Sequence, residues 1–296
     1  MTTYEVVHRT EYRYESDVSS SYGLAYLIPR SGQGQICRSS MVDISPGAGE
    51  HRSHTDIFGN QVLYFSVHAP HRTLVVTAAS VVDVDVPPGA LPMVGSLSWE
   101  LAREQLRQST DPDEIENRQF LSASPMVELS DRVAEFARQS FAPGRPIVEV
   151  LADLTSRIHD QFTYKPGATT IGISLDALFD VGKGVCQDFA HLAVGCLRTM
   201  GIAARYVSGY LETDPPPGRP RLVGADVSHA WASAFVPGVG WVDIDPTNDC
   251  FVSGRYVTTA WGRDYADVPP LKGVIFTESP GSELSVSVDV RSVNPG

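Results

Sequence analysis

Short runs in which apolar and polar residues alternate fill the first third of the chain. TYEVVHRTEYRYES at 3–16, QICRSSMVDI, EHRSHTDIF, QVLYFSVH and RTLVVTAASVVDVDV follow one another at short intervals and are rich in β-branched and aromatic residues. That composition and period predict strands with one covered face. Phe58-Gly59-Asn60 separates two of them and reads as a hairpin turn, where glycine takes the positive φ that the reversal needs. The pattern breaks at VPPGALP, 86–92, which ends an all-β unit over 1–90.

The spacing then lengthens to that of helices. Ser98 to Gln108 predicts a short amphipathic helix anchored by Leu101 and Leu106, and TDPDEIENRQ a solvent-facing connector, together filling 91–122. Ser124-Pro125 reads as a helix start, with Leu129, Val133, Phe136 and Ala137 as its buried stripe. A second helix carries Val150, Leu151, Leu154 and Ile158 and ends near Phe162. Apolar residues at 189, 190, 193, 194, 197 and 200 lay one face along a third helix, which Gly201 closes and in whose first turn Cys186 stands. Ala203 to Leu211 predicts a strand, and HAWASAF and WVDIDP two more, joined by the turn PGVG into a hairpin. LSVSVDV at 284–290 alternates strictly and is expected to complete the same sheet. The result is an α+β domain over 123–290. No strand leads directly into the Cys186 helix, so this is not the elbow of the α/β-hydrolases.

Composition narrows the chemistry. The chain has 296 residues, 42% hydrophobic and 20% charged, as ordinary globular proteins do, and is long enough for two domains. Its net charge of −12 argues against a nucleic-acid partner. Neither a signal-peptide pattern nor a membrane-length apolar run occurs, so a cytoplasmic protein with no membrane partner is expected. Cysteines at 37, 186, 196 and 250 match neither a disulfide framework nor a metal motif. His8, His51, His54, His68 and His71 are spread over different strands and are expected to be structural or exposed. No metal or other cofactor is expected.

Within this frame Cys186 is the candidate nucleophile, because free N–H groups and the positive end of the helix dipole favour a thiolate in a first turn. A thiol enzyme also needs a base held by a third group. His229 opens one strand of the hairpin and Asp245 closes the other, so the turn brings them together. Asp243 shares the face of Asp245 and is its rival; Asp245 is favoured because it lies opposite the start of the preceding strand and Pro246 ends the ladder after it. Asp226 is a third, weaker candidate. His191 sits five positions along the helix from Cys186, rotated about 140° away, and ranks below His229. Asp188 is expected to cap the helix start and to turn toward backbone or Arg205. The loop 212–228 reads as a rim or lid, and Arg263 with Asp264 as a surface pair.

The successions GVCQDFAH, GIAARYVSGY, HAW and WVDIDPT, at 184–191, 201–210, 229–231 and 241–247, resemble the bacterial transglutaminase-like cysteine enzymes of the papain-like transglutaminase superfamily. The resemblance covers most of the chain: about 120 to 250 is similar to the catalytic core, and the β-rich part with DIFGN at 56–60 to its N-terminal companion. It implies a papain-like core with the nucleophile on a central helix packed on an antiparallel sheet, Cys186 as nucleophile, His229 as base and Asp245 as orienting carboxylate. The backbone N–H of Cys186 is the first oxyanion donor, Tyr164 a candidate second, and Trp231 a wall of the site. The implied reaction is acyl transfer on a peptide or protein substrate bearing an amide or glutamine side chain. Hydrolysis is expected ahead of transglutamination or deamidation, with an inactive protein-binding module as the remaining reading.

Overall fold

One long strand runs through the first sheet. In the computed structural model, which describes residues 1–32, 34–86, 97–213, 228–279 and 281–293, β1 (Thr2–Ala25) is followed by β2 (Gln35–Ser45), β3 (Glu50–Thr55), β4 (Gln61–Val67) and β5 (His71–Val84). They run in the order β2-β5-β1-β4-β3, each pair antiparallel. Alternation in the sequence becomes alternation in burial: Tyr4, Val6, His8 and Thr10 face inward while Glu5 and Val7 face out. At the β3–β4 turn the Asp56 carboxylate accepts from the N–H groups of Phe58 (2.9 Å) and Asn60 (2.8 Å), and Gly59 takes φ 77°.

The helical part comprises α1 (Trp99–Gln108), α2 (Pro112–Glu116), α3 (Asp131–Arg138), α4 (Ile147–Gln161), β6 (Thr163–Tyr164), α5 (Leu175–Val181), β7 (Lys183–Gly184) and α6 (Cys186–Thr199). The second sheet follows, with β8 (Ala204–Leu211), β9 (Ser228–Val236), β10 (Gly240–Asp245), β11 (Cys250–Phe251) and β12 (Tyr256–Gly262). Its order is β11-β10-β9-β8-β12, all antiparallel. Helix α6 lies between this sheet and α3, α4 and α5, in a core where Leu192, Ala193 and Leu197 meet Leu151, Leu154 and the sheet residues Ala204, Ala232 and Ile244. This is the expected α+β architecture, a nucleophile-bearing helix on an antiparallel sheet preceded by a β domain.

Several local expectations are corrected by packing. Helix α1 buries Trp99, Ala102 and Leu106, while Leu101 is exposed, because the face is set by Trp99 against Phe141. The cap of α3 is Ser130, accepting from Val133 N–H, and not Ser124; Leu129 is left outside. The connector contains α2 and a 3₁₀ turn that buries Phe120. Helix α6 buries every residue from Asp188 to Arg198 and not one face, since it is enclosed on every side. The largest correction concerns the C-terminal strands β13 (Leu271–Thr277) and β14 (Ser282–Ser292): both pair with β1 of the first sheet, and neither joins the second. The boundary at 87–92, most of the 212–228 loop and Asp226 lie outside the described residues.

Candidate active site

Helix α6 begins at Cys186, with Val185 in extended conformation as its N-cap. The cap bond is made by Asp188, whose Oδ2 accepts from Val185 N–H (2.9 Å) and from Thr169 Oγ1 (2.6 Å). Its carboxylate is thus turned into the backbone, as expected, and away from Arg205, which stacks on Trp241 and Trp261 instead. At the first helical position the Cys186 N–H has no intrahelical acceptor to meet, and the thiol is half-buried.

His229 and Asp245 arrive from adjacent strands. The β9–β10 ladder closes at Ala232 opposite Ile244; Asp245 is the next residue on β10 and His229 lies three before Ala232 on β9, and His229 Nε2 meets Asp245 Oδ2 at 2.7 Å. Both are buried. With Nε2 taken by Asp245, Nδ1 is the ring nitrogen left free for Cys186, whose side chain and charge favour the protonated imidazole. Burial by itself would push the imidazole pKa down. The hydrogen bonds to Asp245 and Cys186, with the charges of both, outweigh it and raise the value to about 10. Burial likewise opposes ionisation of Asp245, but the bond from His229 and its charge, with bonds from Asn248 and Tyr256, hold its pKa low. That carboxylate is fully partnered: Oδ2 also accepts from Asn248 Nδ2 (2.7 Å) and Tyr256 Oη (2.8 Å), and Oδ1 from Thr247 N–H (2.9 Å). A thiol, an imidazole and a buried carboxylate in series can store and deliver a proton at a reacting carbonyl.

Residues 4–83 match the bacterial transglutaminase-like N-terminal region, and residues 134–246 the transglutaminase-like superfamily. An uncharacterized protein of Mycobacterium tuberculosis is 47% identical over 293 residues, spanning 97% of this chain and 92% of that protein. The chain belongs to the transglutaminase-like superfamily. A protein-glutamine gamma-glutamyltransferase of Pseudomonas aeruginosa is 34% identical over 116 residues, 39% of this chain and 17% of that enzyme. The solved structure named "Putative Cysteine Protease" from Cytophaga hutchinsonii superposes with a TM-score of 0.74 at 20% identity, covering 100% of this chain and 92% of the other, and so shares the fold.

The other named residues take definite places around this transglutaminase-like core. Asp243 does not reach the imidazole; its Oδ2 accepts from Trp231 Nε1 (3.3 Å). Trp231 is fully buried, with its ring 6.2 Å from that of His229. Tyr164 pairs with Gly184 across the short β6–β7 ladder, two residues before Cys186. Burial first, then the charge on Cys186, raises its phenol pKa. His191 is buried and its pKa is lowered to about 4, chiefly by desolvation, while its Nε2 accepts from the Tyr265 N–H (3.1 Å). It is a neutral structural acceptor. Arg263 pairs with Asp267 (2.9 Å), whereas Asp264 is fully buried and accepts from Met126 and Ala266 N–H groups, so the expected surface pair is overturned.

Three contributors escape the sequence reading. Tyr256 reaches Asp245 from β12, and no local pattern marks it. Tyr206 is buried, with its pKa raised well above the usual range by burial and then by the Cys186 charge. Asn248 does leave a signal, since an amide three residues after the carboxylate suits an Asx-type turn. Among the described residues no three His, Cys, Asp or Glu side chains gather as a metal site would need, and no helix is long and apolar enough to cross a membrane. His8 bonds Tyr210 and Thr10, and His71 bonds Ser21.

Proposed function

We propose that this chain is a thiol enzyme that hydrolyses peptide or amide bonds by acyl transfer at Cys186. The reading is carried by the His229 ring, held through Nε2 by Asp245 at 2.7 Å and influenced by Cys186, which helps to keep the imidazole protonated. The Cys186 sulfur, as thiolate, adds to the carbonyl carbon, and the Cys186 N–H at the helix start donates to the developing oxyanion. His229 as imidazolium gives its Nδ1 proton to the departing amine as the C–N bond breaks, leaving a thioester. Water then attacks the thioester, His229 takes a proton from it, and the acid leaves as the thiol is restored. Asp245 keeps the ring oriented and its positive charge matched throughout, and Tyr164, paired with Gly184 two residues before Cys186, serves as the second oxyanion donor.

Hydrolysis is preferred because water can reach the acyl-enzyme: the thiol is half-buried and Tyr164 is 47% exposed. Amine transfer to glutamine is the second reading, favoured by the segment shared with the Pseudomonas aeruginosa gamma-glutamyltransferase. One incubation separates them. Wild type and Cys186→Ala are given a complex peptide mixture in heavy-oxygen water with a labelled primary amine, and products are read by mass spectrometry. New peptide termini carrying heavy oxygen, absent with the variant, are expected. Glutamines carrying the amine without cleavage would establish transglutamination instead, and heavy oxygen at glutamine alone deamidation. No Cys186-dependent change would leave the binding-module reading. Activity is expected to persist in a metal chelator, since thiol acyl transfer draws on no Lewis acid.

A further inference from the structure

We propose that the cleft between the two sheets, built around Arg205 and Arg30, is a second binding site that takes the carboxylate of an extended peptide. The cleft has a volume of about 970 Å³ and is lined by Arg30 and Phe58 from the first domain and Arg205, Trp241, Asp243 and Trp261 from the second, while Cys186, His229 and Asp245 do not line it.

Arg205 is only 7% exposed, yet its Nε has no hydrogen-bond partner among the described residues. Its guanidinium lies 4.1 Å from the ring centre of Trp241 and 3.6 Å from that of Trp261. Arg30 lies 3.5 Å from the Trp261 ring; its Nη1 holds Phe58 O and Asn60 Oδ1, but its Nε too is buried without a partner. Desolvation pushes the two guanidinium groups down, to about 9 and about 10, so both still carry charge at neutral pH. Stacking satisfies the faces of a guanidinium but supplies no acceptor in its plane, and the buried Nε donors of Arg205 and Arg30 lack one, which is costly. A planar carboxylate entering the cleft supplies what the fold omits.

The choice of a monoanion follows from Asp56, Asp85, Glu116 and Asp243, which also line the cleft and would repel a phosphate dianion more strongly than a single carboxylate. The choice of a peptide follows from the backbone. Residues 239–243 line the cleft consecutively; β11 pairs with β10 at Ile244 and Asp245, and the Val252 N–H donates to Asp243 O (3.0 Å), with no further rung toward Gly240 among the described residues. The outer edge of Gly240–Val242 is therefore open to an added strand, with aromatic walls for its side chains.

The site is tested on full-length Cys186→Ala protein, which cannot turn over, by titration calorimetry. The probes are acetyl-Ala-Ala-Val-Ala with a free terminal carboxylate, its amidated form, amidated acetyl-Ala-Glu-Val-Ala, and inorganic phosphate. One of the carboxylate peptides is expected to bind at least roughly tenfold more tightly than the fully amidated control, as a charge-assisted pair predicts, and which one wins distinguishes a chain terminus from an acidic side chain. Arg205→Lys and Arg30→Lys should each weaken it severalfold. Asp243→Asn should tighten it by removing a competing carboxylate, a gain that misfolding cannot imitate. Equal binding of acid and amide, phosphate bound in preference to peptide, no saturable peptide binding, or no tightening by Asp243→Asn overturns the proposal. Binding here does not require Cys186 chemistry, so the failure of either reading leaves the other standing.

Discussion

The proton on His229 is held against the tendency of burial to remove it. Because its folded pKa, about 10, lies above the ordinary 6.5, its contribution to stability is full below 6.5 and is lost as pH rises toward 10. Asp245, held below its ordinary 3.8, contributes above that value and loses its contribution as pH falls through the lowered one. The difference in melting temperature between wild type and His229→Gln is therefore expected to be largest from about pH 4 to 6.5 and to close toward pH 10. A gap unchanged from pH 6 to 10 contradicts this pairing. Asp245→Asn should let the imidazole pKa fall, moving the alkaline limb of the proposed hydrolysis to lower pH. Burial raises the thiol pKa of Cys37, Cys196 and Cys250, so brief iodoacetamide treatment at neutral pH should label Cys186 first, as peptide mapping would show. His229→Ala should slow that labelling severalfold, and His191→Asn far less.

At the scale of single elements, the start of α6 and the crossing of β8 are the most constrained points. Asp188→Ala removes the acceptor for Val185 N–H and Thr169 Oγ1, and should cost about 1–2 kcal/mol in denaturant melts, as lost caps do. Full stability in the variant would mean that the cap contributes nothing. Gly209 lies beneath the Trp231 ring: a Cβ there would sit 2.1 Å from Val257 O and 2.6 Å from Trp231 Cη2. Backbone cannot yield as a flexible side chain can, so Gly209→Ala is expected to destabilise by about 3 kcal/mol or more and to displace Trp231 from His229. A melting temperature within a degree of wild type would show that β8 and β12 separate easily.

For the whole molecule, the return of β13 and β14 to β1 makes the first domain depend on both ends of the chain. A truncation after residue 269 strips those strands from β1, and loss of the first domain's cooperative unfolding is expected, with protease cleavage concentrated before residue 87. The DIFGN turn fastens the two sheets together. Asn60 is fully buried, donates to Trp261 O (2.8 Å) and accepts from Trp261 N–H (3.0 Å). Asn60→Ala leaves those groups unmet and should cost about 1–3 kcal/mol, seen as faster proteolysis between the domains.

What is local is legible in the sequence. Period-two runs and Gly59 mark the strands and hairpin of the first domain, and the helix that starts at Cys186 is marked by its apolar spacing and by Gly201 at its end. The PGVG turn places His229 near Asp245 because a hairpin must bring its ends together. Tertiary structure decides whatever depends on which surface an element meets. Asp243 and Asp245 share a face, and only the position of the last rung puts Asp245 at the imidazole and Asp243 on Trp231. Alternation at 284–290 specifies a strand with two unlike faces, but backbone edges carry no address, and it is the tertiary structure that pairs β14 with β1. Tyr256 on Asp245, Asn60 on Trp261 and the burial of Asp264 are likewise contacts between residues whose own neighbourhoods say nothing of their partners.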